Sequence, residues 1–218
     1  MFLLFLKMEF FDFHHHHLHH KNGIYNLNLW ESVPDEIPFS VGLHPKDITD
    51  DYQSAFLWVQ EIANHQNVVA IGECGLDALI SVNGKLQLEV AEKHIELANK
   101  IKKPVILHCV RRYQEIIRLQ KKAKVPLIIH GFNKNKNLAK ELLQHQFYLS
   151  FGKAALQHVS LQELWLDFPL DRIFLESDDA DFDVKLLYDK LAEIKGISTP
   201  ELEKIILQNL EKILKHAH

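Results

Sequence analysis

Eight short apolar runs recur along this chain of 218 residues, and amphipathic stretches lie between several of them. Short apolar runs are typical of strands that are buried on both faces, and their alternation with helical patterns predicts a parallel sheet. We therefore expect an α/β fold of the (β/α)8 TIM-barrel type, distorted or shortened relative to the ~250 residues typical of that fold. An open doubly wound sheet is the structural alternative. The predicted strands are Glu9–His14, Ile24–Asn28, Phe39–Leu43, Val68–Gly72, Val105–His108, Leu127–His130, Phe147–Phe151 and Arg172–Glu176.

Two of the intervening stretches show clear helical periodicity. Apolar side chains in residues 85–101 recur at i, i+3 and i+4, and Pro104 ends this helix before the next strand. In residues 199–215, Thr199 is the predicted N-cap and Pro200 the first helical residue. The segment Lys21 to Ser40, by contrast, has room for little more than a strand and a loop.

Composition narrows the class of protein. A hydrophobic share of 47% excludes a disordered chain, and two Cys exclude a disulfide scaffold and favour the cytoplasm. The net charge of −4 means that a nucleic-acid ligand would have to meet local positive charge or a metal ion. The apolar stretch Met1 to Leu6 is too short to span a membrane, and we expect neither membrane association nor an obligate protein partner. Residues 1–7 are interpreted as an N-terminal extension and residues 8–218 as a single domain.

Polar residues collect where the predicted strands end. The first strand leads into Asp12, His14 and His16, and later strands end in further imidazoles and carboxylates. Active sites of barrels are built at the C-terminal ends of the strands. Imidazole and carboxylate groups together are typical ligands of metal ions. The later members of this set are His44, Glu73, Asp77, His108, His130, Glu176 and Asp178.

Six of the 15 His lie between His14 and His20. Because residues i and i+2 of a strand point the same way, Asp12, His14 and His16 can face the barrel interior together, while His15 and His17 point outward. Two imidazoles so placed can bind one cation. The remaining four His of the run, His15, His17, His19 and His20, are interpreted as solvated loop residues.

Six motifs in order resemble the TatD-related deoxyribonuclease family of metal-dependent hydrolases, over most of the chain. The most distinctive is Gly72-Glu73-Cys74-Gly75-Leu76-Asp77, which Gln87 follows in the predicted helix. Cys74 and Cys109 themselves are interpreted as buried thiols. The other motifs are Phe11 to His16, Val41 to Pro45, Pro104 to Cys109, Ile128 to Phe132 and Phe174 to Asp178, and Asn209 to Leu214 resembles the closing helix.

The resemblance implies a barrel with two divalent metal ions, for which Zn, Mn, Mg, Fe and Ni all remain open. It implies that His14, His16, Glu73 and Asp178 hold the first ion. The second would be held by Glu73, His108 and His130, with Glu73 bridging. Such a pair suits phosphodiester hydrolysis, because it lowers the pKa of a water molecule and neutralises charge on phosphoryl oxygens. Asp178 is the candidate general base, and Asp12 is either a partner of a ligand His or a structural carboxylate.

The substrate-contacting rim departs from the family pattern. Arg111 comes one residue later than the usual Arg, and the chain after Asp178 is acidic instead of continuing with Ala-Pro. Candidate substrate-binding residues are His44, Arg111, Asn133 and Lys134, with a surface ion pair as the alternative for Arg111 and a solvated face for Lys134.

The function favoured is a TatD-like deoxyribonuclease or phosphodiesterase acting on single-stranded DNA or DNA ends. Two alternatives stay open at this point. One is a metal-dependent hydrolase of a small-molecule amide or ester, which a shortened rim would suit. The other is a non-catalytic metal-binding protein, suggested by the His run.

Overall fold

A computed structural model describes residues 9–215, so the expected extension at residues 1–7 lies outside the described part. Eight strands form one sheet in the order β1 to β8, and helices connect most of them. The pairings of β1 with β2, of β3 with β4, β4 with β5, β5 with β6, and β7 with β8 are parallel. The predicted (β/α)8 barrel fold is thus confirmed. The strands are β1 Asp12–His15, β2 Gly23–Leu27, β3 Phe39–Val41, β4 Val68–Asp77, β5 Val105–Val110, β6 Leu127–Ile129, β7 Tyr148–Phe151 and β8 Ile173–Leu175.

Eight α-helices lie within residues 9–215. Short 3-10 turns also form at Pro45–Asp47 and Leu170–Arg172, and no helix of the described chain is long and apolar enough to cross a membrane. Residues 28–38 contain no regular element, as the short spacing between Lys21 and Ser40 predicts. The helices are α1 Gln53–Ile62, α2 Gly84–Ile101, α3 Tyr113–Gln120, α4 Lys136–Gln144, α5 Ala154–Gln157, α6 Val159–Asp167, α7 Lys185–Lys195 and α8 Thr199–Lys215.

The two helices predicted from periodicity are present, and one of them differs at its first residue. Helix α8 begins at Thr199 itself, and the hydroxyl of Ser198 accepts a hydrogen bond from the amide of Glu201 at 3.3 Å. Prediction of Thr199 as the N-cap is therefore wrong by one residue. The hydroxyl of Thr199 instead donates to a carboxylate oxygen of Asp189 in α7.

One compact unit consists of residues 9–25 and 130–213. Its core contains stacked aromatic rings on β1 and β8, where Phe13 and Phe174 lie 4.1 Å apart between centroids. The buried hydroxyl of Tyr188 in α7 donates to the carbonyl of Phe11 at 2.7 Å. These contacts pack β1 against β8 and α7 against the residue before β1, and the candidate ligands His14, His16 and Asp178 lie in β1 or within three residues of the end of β1 or β8.

The second compact unit consists of residues 26–129, with 214–215. Strand β4 is the longest strand and is buried over nearly its whole length, with α2 packed against it. The end of β3 approaches β4 closely, because a Cβ added to Gly42 would lie 2.6 Å from the carbonyl oxygen of Glu73. Only glycine fits there, and this close approach brings the residue after Leu43 towards Glu73.

Asn209 fastens α8 to the start of β8. Its side-chain amide is buried and donates to the carbonyl oxygens of Leu170 at 2.7 Å and Ile173 at 3.1 Å. The hydrogen bond to Ile173 is buried, and its carbonyl would otherwise lack a donor, whereas the one to Leu170 is partly buried. The contact explains an Asn in a helix that is otherwise apolar on its inner face.

We expect Asn209→Ala to lower the free energy of unfolding by about 1 to 3 kcal/mol, because the buried carbonyl of Ile173 and the partly buried carbonyl of Leu170 lose their donor. Urea denaturation followed by circular dichroism measures the change. The control is Gln208→Ala, at the exposed neighbouring position, which should change stability by less than about 0.5 kcal/mol. Equal losses in the two variants would contradict the assigned role of Asn209.

Candidate functional site

In the first unit, His14, His16 and Asp178 meet where β1 and β8 end. The Nε2 atoms of His14 and His16 lie 3.8 and 3.5 Å from Oδ1 of Asp178. His130, which follows β6, joins them, and its ring centroid is 4.5 Å from that of His14. His14, His130 and Asp178 each offer a ligand atom within 4.8 Å of the others. Four predicted ligands are therefore brought together in this unit.

The backbone of Asp178 fixes its side chain between the two imidazoles. Its amide donates to the carbonyl of His14 at 2.9 Å, and the amide of His16 donates to the carbonyl of Asp178 at 3.1 Å. Asp178 also has a φ of 56°, a left-handed conformation that costs free energy in a residue with a Cβ. The side chain remains 35% exposed, so its carboxylate is positioned by the fold and is still accessible to water.

Glu176, which the sequence analysis counted among the strand-end carboxylates without giving it a role, is a partner of His130. This carboxylate is fully buried, and its Oε1 accepts a hydrogen bond from the amide of Gly131 at 2.5 Å and lies 3.4 Å from Nδ1 of His130. A carboxylate on one ring nitrogen orients an imidazole and raises its basicity at the other nitrogen. The sequence signal that could have indicated this role is the position of Glu176 at a strand end, two residues before Asp178.

Asp12 is hydrogen-bonded to Ser177, two residues after β8, rather than to a ligand imidazole. Its Oδ1 accepts from the amide of Ser177 at 2.9 Å, and its Oδ2 accepts from the Ser177 hydroxyl at 2.6 Å. Burial raises the pKa of Asp12 to about 7, although the hydrogen bonds from Ser177 act in the opposite direction. Of the two interpretations of Asp12, these contacts favour the structural carboxylate, which sets Ser177 and hence the neighbouring Asp178.

In the second unit, Glu73 lies between two imidazoles. Its Oε1 is 2.8 Å from Nδ1 of His108, which is on β5, and 3.4 Å from Nε2 of His44, which follows β3. His44 Nδ1 accepts from the amide of Lys46 at 3.0 Å, so its Nε2 is the nitrogen turned to the carboxylate. His44, Glu73 and His108 form a further group with ligand atoms within 4.8 Å. His44 was predicted only as a substrate contact, and its geometry is that of a ligand neighbour.

Two amide side chains support this group. Asn26 Oδ1 accepts from the amide of Glu73 at 2.9 Å and from the hydroxyl of Ser40 at 3.2 Å, which ties Glu73 to the neighbouring strands. Gln87 in α2 accepts from the amide of Asp77 at 2.8 Å and donates to its carbonyl at 3.0 Å. The carboxylate of Asp77 in turn lies 3.2 Å from Nε2 of His108. His108 thus has a carboxylate at each ring nitrogen.

The predicted rim residues follow the ligand-bearing strands. Arg111 is exposed directly after β5, Asn133 is exposed after β6, and Lys134 is half-buried. Their substrate contacts stay predictions. Cys74 and Cys109 are buried free thiols, and burial raises the pKa of Cys74, which agrees with their interpretation as packing residues.

His15 differs from the sequence expectation. Its side chain points away from His14 and His16, as strand alternation predicts, but it is fully buried instead of solvated. Its ring packs against Tyr25 and His20, with centroids 6.0 and 4.8 Å away. Burial is the main cause that lowers the pKa of His15 to about 3, so the ring is neutral.

Both groups fit divalent cations by their donor chemistry. Each combines imidazole nitrogens with a carboxylate, and the ligand atoms of each group lie within 4.8 Å of one another. Every member lies in a strand or within three residues of a strand end. Imidazole with carboxylate admits Zn and the other first-row ions, and Mg where water completes the shell. These groups lie at or after the C-terminal ends of the strands, which is where parallel (β/α)8 barrels build their active sites.

The sequence matches the TatD related DNase family over residues 12–215, and the chain belongs to this family. YabD of Bacillus subtilis strain 168, named an uncharacterized metal-dependent hydrolase, is 28% identical over 200 residues, which cover 83% of this chain and 78% of YabD. YcfH of Escherichia coli K12, with the same description, is 27% identical over 82% of this chain and 74% of YcfH. The 3'-5' ssDNA/RNA exonuclease TatD of Edwardsiella piscicida is 28% identical over 70% of this chain and 61% of the exonuclease.

Solved structures agree on the fold. The TatD homologue YjjV of Escherichia coli K12 superposes with a TM-score of 0.77 at 19% identity, and the match covers 98% of both chains. A TatD family hydrolase of Entamoeba histolytica gives a TM-score of 0.76 at 16% identity, over 94% of this chain and 98% of that one.

A buried histidine outside the ligand groups fixes the backbone beside His44. His94 in α2 is fully buried; its Nδ1 donates to the carbonyl of Val90 at 2.8 Å, and its Nε2 accepts from the amide of Leu43 at 2.9 Å. The carbonyl can only accept and the amide can only donate, so the ring holds one proton, on Nδ1. Burial lowers the pKa of His94 from 6.5 to about 4.

We expect the free energy of unfolding to fall as the pH drops from about 6.5 to about 4. In this range His94 is protonated in the unfolded chain but stays neutral in the folded protein. The shift corresponds to about 3 kcal/mol, present in full above pH 6.5 and lost by pH 4. In His94→Gln this part of the acid slope should be absent, as measured by urea unfolding at a series of pH values. An acid slope in His94→Gln equal to that of the wild type would contradict this assignment.

Proposed function

We propose that this chain is a metal-dependent hydrolase that cleaves phosphodiester bonds in single-stranded DNA or at DNA ends. Family membership and the names of YabD and YcfH support the hydrolase. The exonuclease name of the Edwardsiella relative supports the nucleic-acid substrate. Two divalent cations bound at the ligand groups would lower the pKa of an attacking water and neutralise charge on the phosphoryl oxygens.

The observation that carries the proposal is the placement of Asp178. Its carboxylate is fixed by two backbone hydrogen bonds to β1, lies within 3.8 Å of two imidazoles and remains open to water. A carboxylate so held can orient a water molecule and take its proton, which is the role of a general base. Glu176 holds the orientation of His130, and Asn26 fixes the backbone of Glu73.

The residues on the rim would bind the strand to be cut. Arg111 can contact a phosphate, and Asn133 and Lys134 extend from the segment that follows His130. In this proposal His44, whose Nε2 lies 3.4 Å from Oε1 of Glu73, contacts the substrate or completes the ligand group of Glu73. The division of ligands between two ions that the resemblance implies, with Glu73 bridging, stays a prediction, as do the single domain and the cytoplasmic location.

We expect Asp178→Asn to lower kcat on a single-stranded DNA substrate by about 10²- to 10⁴-fold, because the amide cannot accept the proton of water. The measurement is release of nucleotides from an end-labelled oligonucleotide in the presence of added Mn²⁺, Mg²⁺ or Zn²⁺. Asp179→Asn is the matched control, since this exposed neighbour loses the same charge. Comparable kcat values in the two variants would refute the assignment of Asp178.

Glu73→Gln should lose bound metal and activity together, because an amide is a weaker ligand than a carboxylate and cannot compensate the cation's charge. Metal content measured by mass spectrometry of the desalted protein, alongside the nuclease assay, checks this. Full activity of Glu73→Gln would refute the proposal. Turnover of small amides or esters without cleavage of DNA would instead identify the small-molecule hydrolase, and bound metal without any turnover would identify a metal-binding protein.

A further inference from the structure

A cavity of about 420 Å³ lies beside the residues that follow β8. The buried side chains Asp12 and Ser177 form part of its wall, and Ser177 directly precedes Asp178, the candidate general base. The volume falls within the ~300–1,000 Å³ typical of sites that bind small molecules. All of the described wall residues belong to the first compact unit, so the cavity adjoins the candidate ligand group of that unit.

The acidic segment after Asp178 forms a large part of the cavity wall. Residues 180–184 of this segment line the cavity without a break. Asp12, Ser177 and three imidazoles of the turn His17–His20 complete the wall. The turn is closed by a hydrogen bond from the amide of His20 to the carbonyl of His17 at 2.9 Å. A segment that contributes nothing to the candidate ligand groups is thus the main component of this cavity.

The charge of the wall disfavours a phosphate as the group that enters the cavity. Asp12, Asp181 and Asp183 contribute carboxylates, and among the described residues the wall includes no Lys or Arg. Burial lowers the pKa of His20, so this imidazole is neutral at pH 7 and adds no positive charge. A neutral group with N–H donors would instead form charge-assisted hydrogen bonds with the carboxylates. In a nucleic acid, the nucleobase is the part with this chemistry.

Phe182 gives the wall an aromatic side chain. It is half-buried, and Nζ of Lys153, two residues after β7, lies 5.7 Å from the centroid of its ring. A cation within ~6 Å of a ring centroid is attracted to the ring face, which stabilises the position of the ring. Planar nucleobases stack on aromatic side chains of this kind, and one such contact changes affinity by about 10-fold or more.

Asp183 can distinguish one nucleobase from another. The amide of Lys185, at the start of α7, donates to Oδ1 of Asp183 at 2.9 Å, which restricts the rotation of the carboxylate. A carboxylate has about four acceptor sites, so it can accept a further hydrogen bond from a ligand. Cytosine and adenine carry an exocyclic amino donor where thymine carries a carbonyl acceptor. A carboxylate that faces this position therefore favours cytosine and adenine over thymine.

We propose that this cavity binds a nucleobase of the substrate, which stacks on Phe182 and donates its exocyclic amino group to Asp183. The inference rests on the proposed function for the identity of the ligand, and it adds a preference for cytosine and adenine over thymine. Because Ser177 on the wall adjoins Asp178, a nucleobase held in the cavity brings the adjoining phosphodiester towards the candidate general base.

The first test measures the binding of free nucleosides, which carry no phosphate and need no turnover. In ligand-observed NMR titrations, the full chain should bind deoxycytidine about 10-fold more tightly than thymidine. Asp183→Asn should remove most of this preference, because an amide can donate to thymine as well as accept from cytosine. Asp179→Asn, at an exposed neighbour outside the described wall, is the matched control and should keep the preference. Equal affinities of the wild type for the two nucleosides would overturn the proposal.

The second test replaces the aromatic ring. Phe182→Leu should weaken the binding of both nucleosides by about 10-fold, because Leu keeps the apolar packing but offers no aromatic face. Phe182→Tyr, which retains the ring, should bind both nucleosides as the wild type does. Leu186→Ala, which shortens an exposed apolar side chain of α7 outside the described wall, should also bind as the wild type does. Unchanged affinities in Phe182→Leu would contradict the site.

Cleavage of homopolymeric oligonucleotides separates this inference from the proposed function. The wild type should have a higher kcat/KM for oligodeoxycytidine than for oligothymidine, and Asp183→Asn should remove most of this difference. Equal kcat/KM values in the wild type would refute the nucleobase site and leave the hydrolase proposal standing. Discrimination between the nucleosides without cleavage of either oligomer would support the nucleobase site and refute the proposed function.

Discussion

The junction between β1 and β8 is the interaction on which the first ligand group depends. Asp178 exchanges backbone hydrogen bonds with both His14 and His16, and residue His15 pairs with it as a parallel bridge. One backbone pairing therefore sets three side chains, because alternation along β1 sends His14 and His16 to the same side. A ligand pair that is contributed by one strand can be precise only if that strand is fixed against its neighbour, and here the neighbour itself carries the acid.

In the second unit, the candidate ligand side chains are also held in fixed positions, but by different contacts. Glu73 follows a stretch where two backbones approach too closely for any Cβ at Gly42, and its amide is held by Asn26. Gln87 binds both backbone polar groups of Asp77, which in turn contacts His108. In the second unit, the close backbone approach at Gly42 and the neutral amide side chains fix the positions of Glu73 and Asp77. In the first unit, backbone hydrogen bonds between the ends of β1 and β8 fix the position of Asp178. Uncharged amides can fix a buried loop without adding to the charge that the site must balance.

Much of the fold, and the grouping of several candidate ligands, could be predicted because both depend on local spacing. Strand alternation places His14 and His16 together, and a barrel places every strand end on one side, so His108 and Asp178 could be assigned from their positions after apolar runs. The contacts of Asn26, Glu176 and Asp12 could not be predicted in this way. The Asp12–Ser177 hydrogen bonds join residues 165 positions apart, and no local pattern encodes such a pair. His15 was misjudged because alternation gives a side chain's direction but not what covers that side.

Asp12 illustrates how a buried charge is used without being a ligand. Desolvation raises its pKa to about 7 even though two hydrogen bonds from Ser177 act to lower it, so the cost of burying the charged form outweighs the stabilisation from those hydrogen bonds. Replacement by an apolar residue would remove that cost but would also release the amide and hydroxyl of Ser177, which precedes Asp178. The carboxylate is thus best explained by the position it imposes on Ser177. Its burial lowers the stability of the fold, but its hydrogen bonds fix the backbone directly before Asp178, the candidate base. The same logic applies to Glu176, whose buried carboxylate holds Gly131 and orients the imidazole of His130.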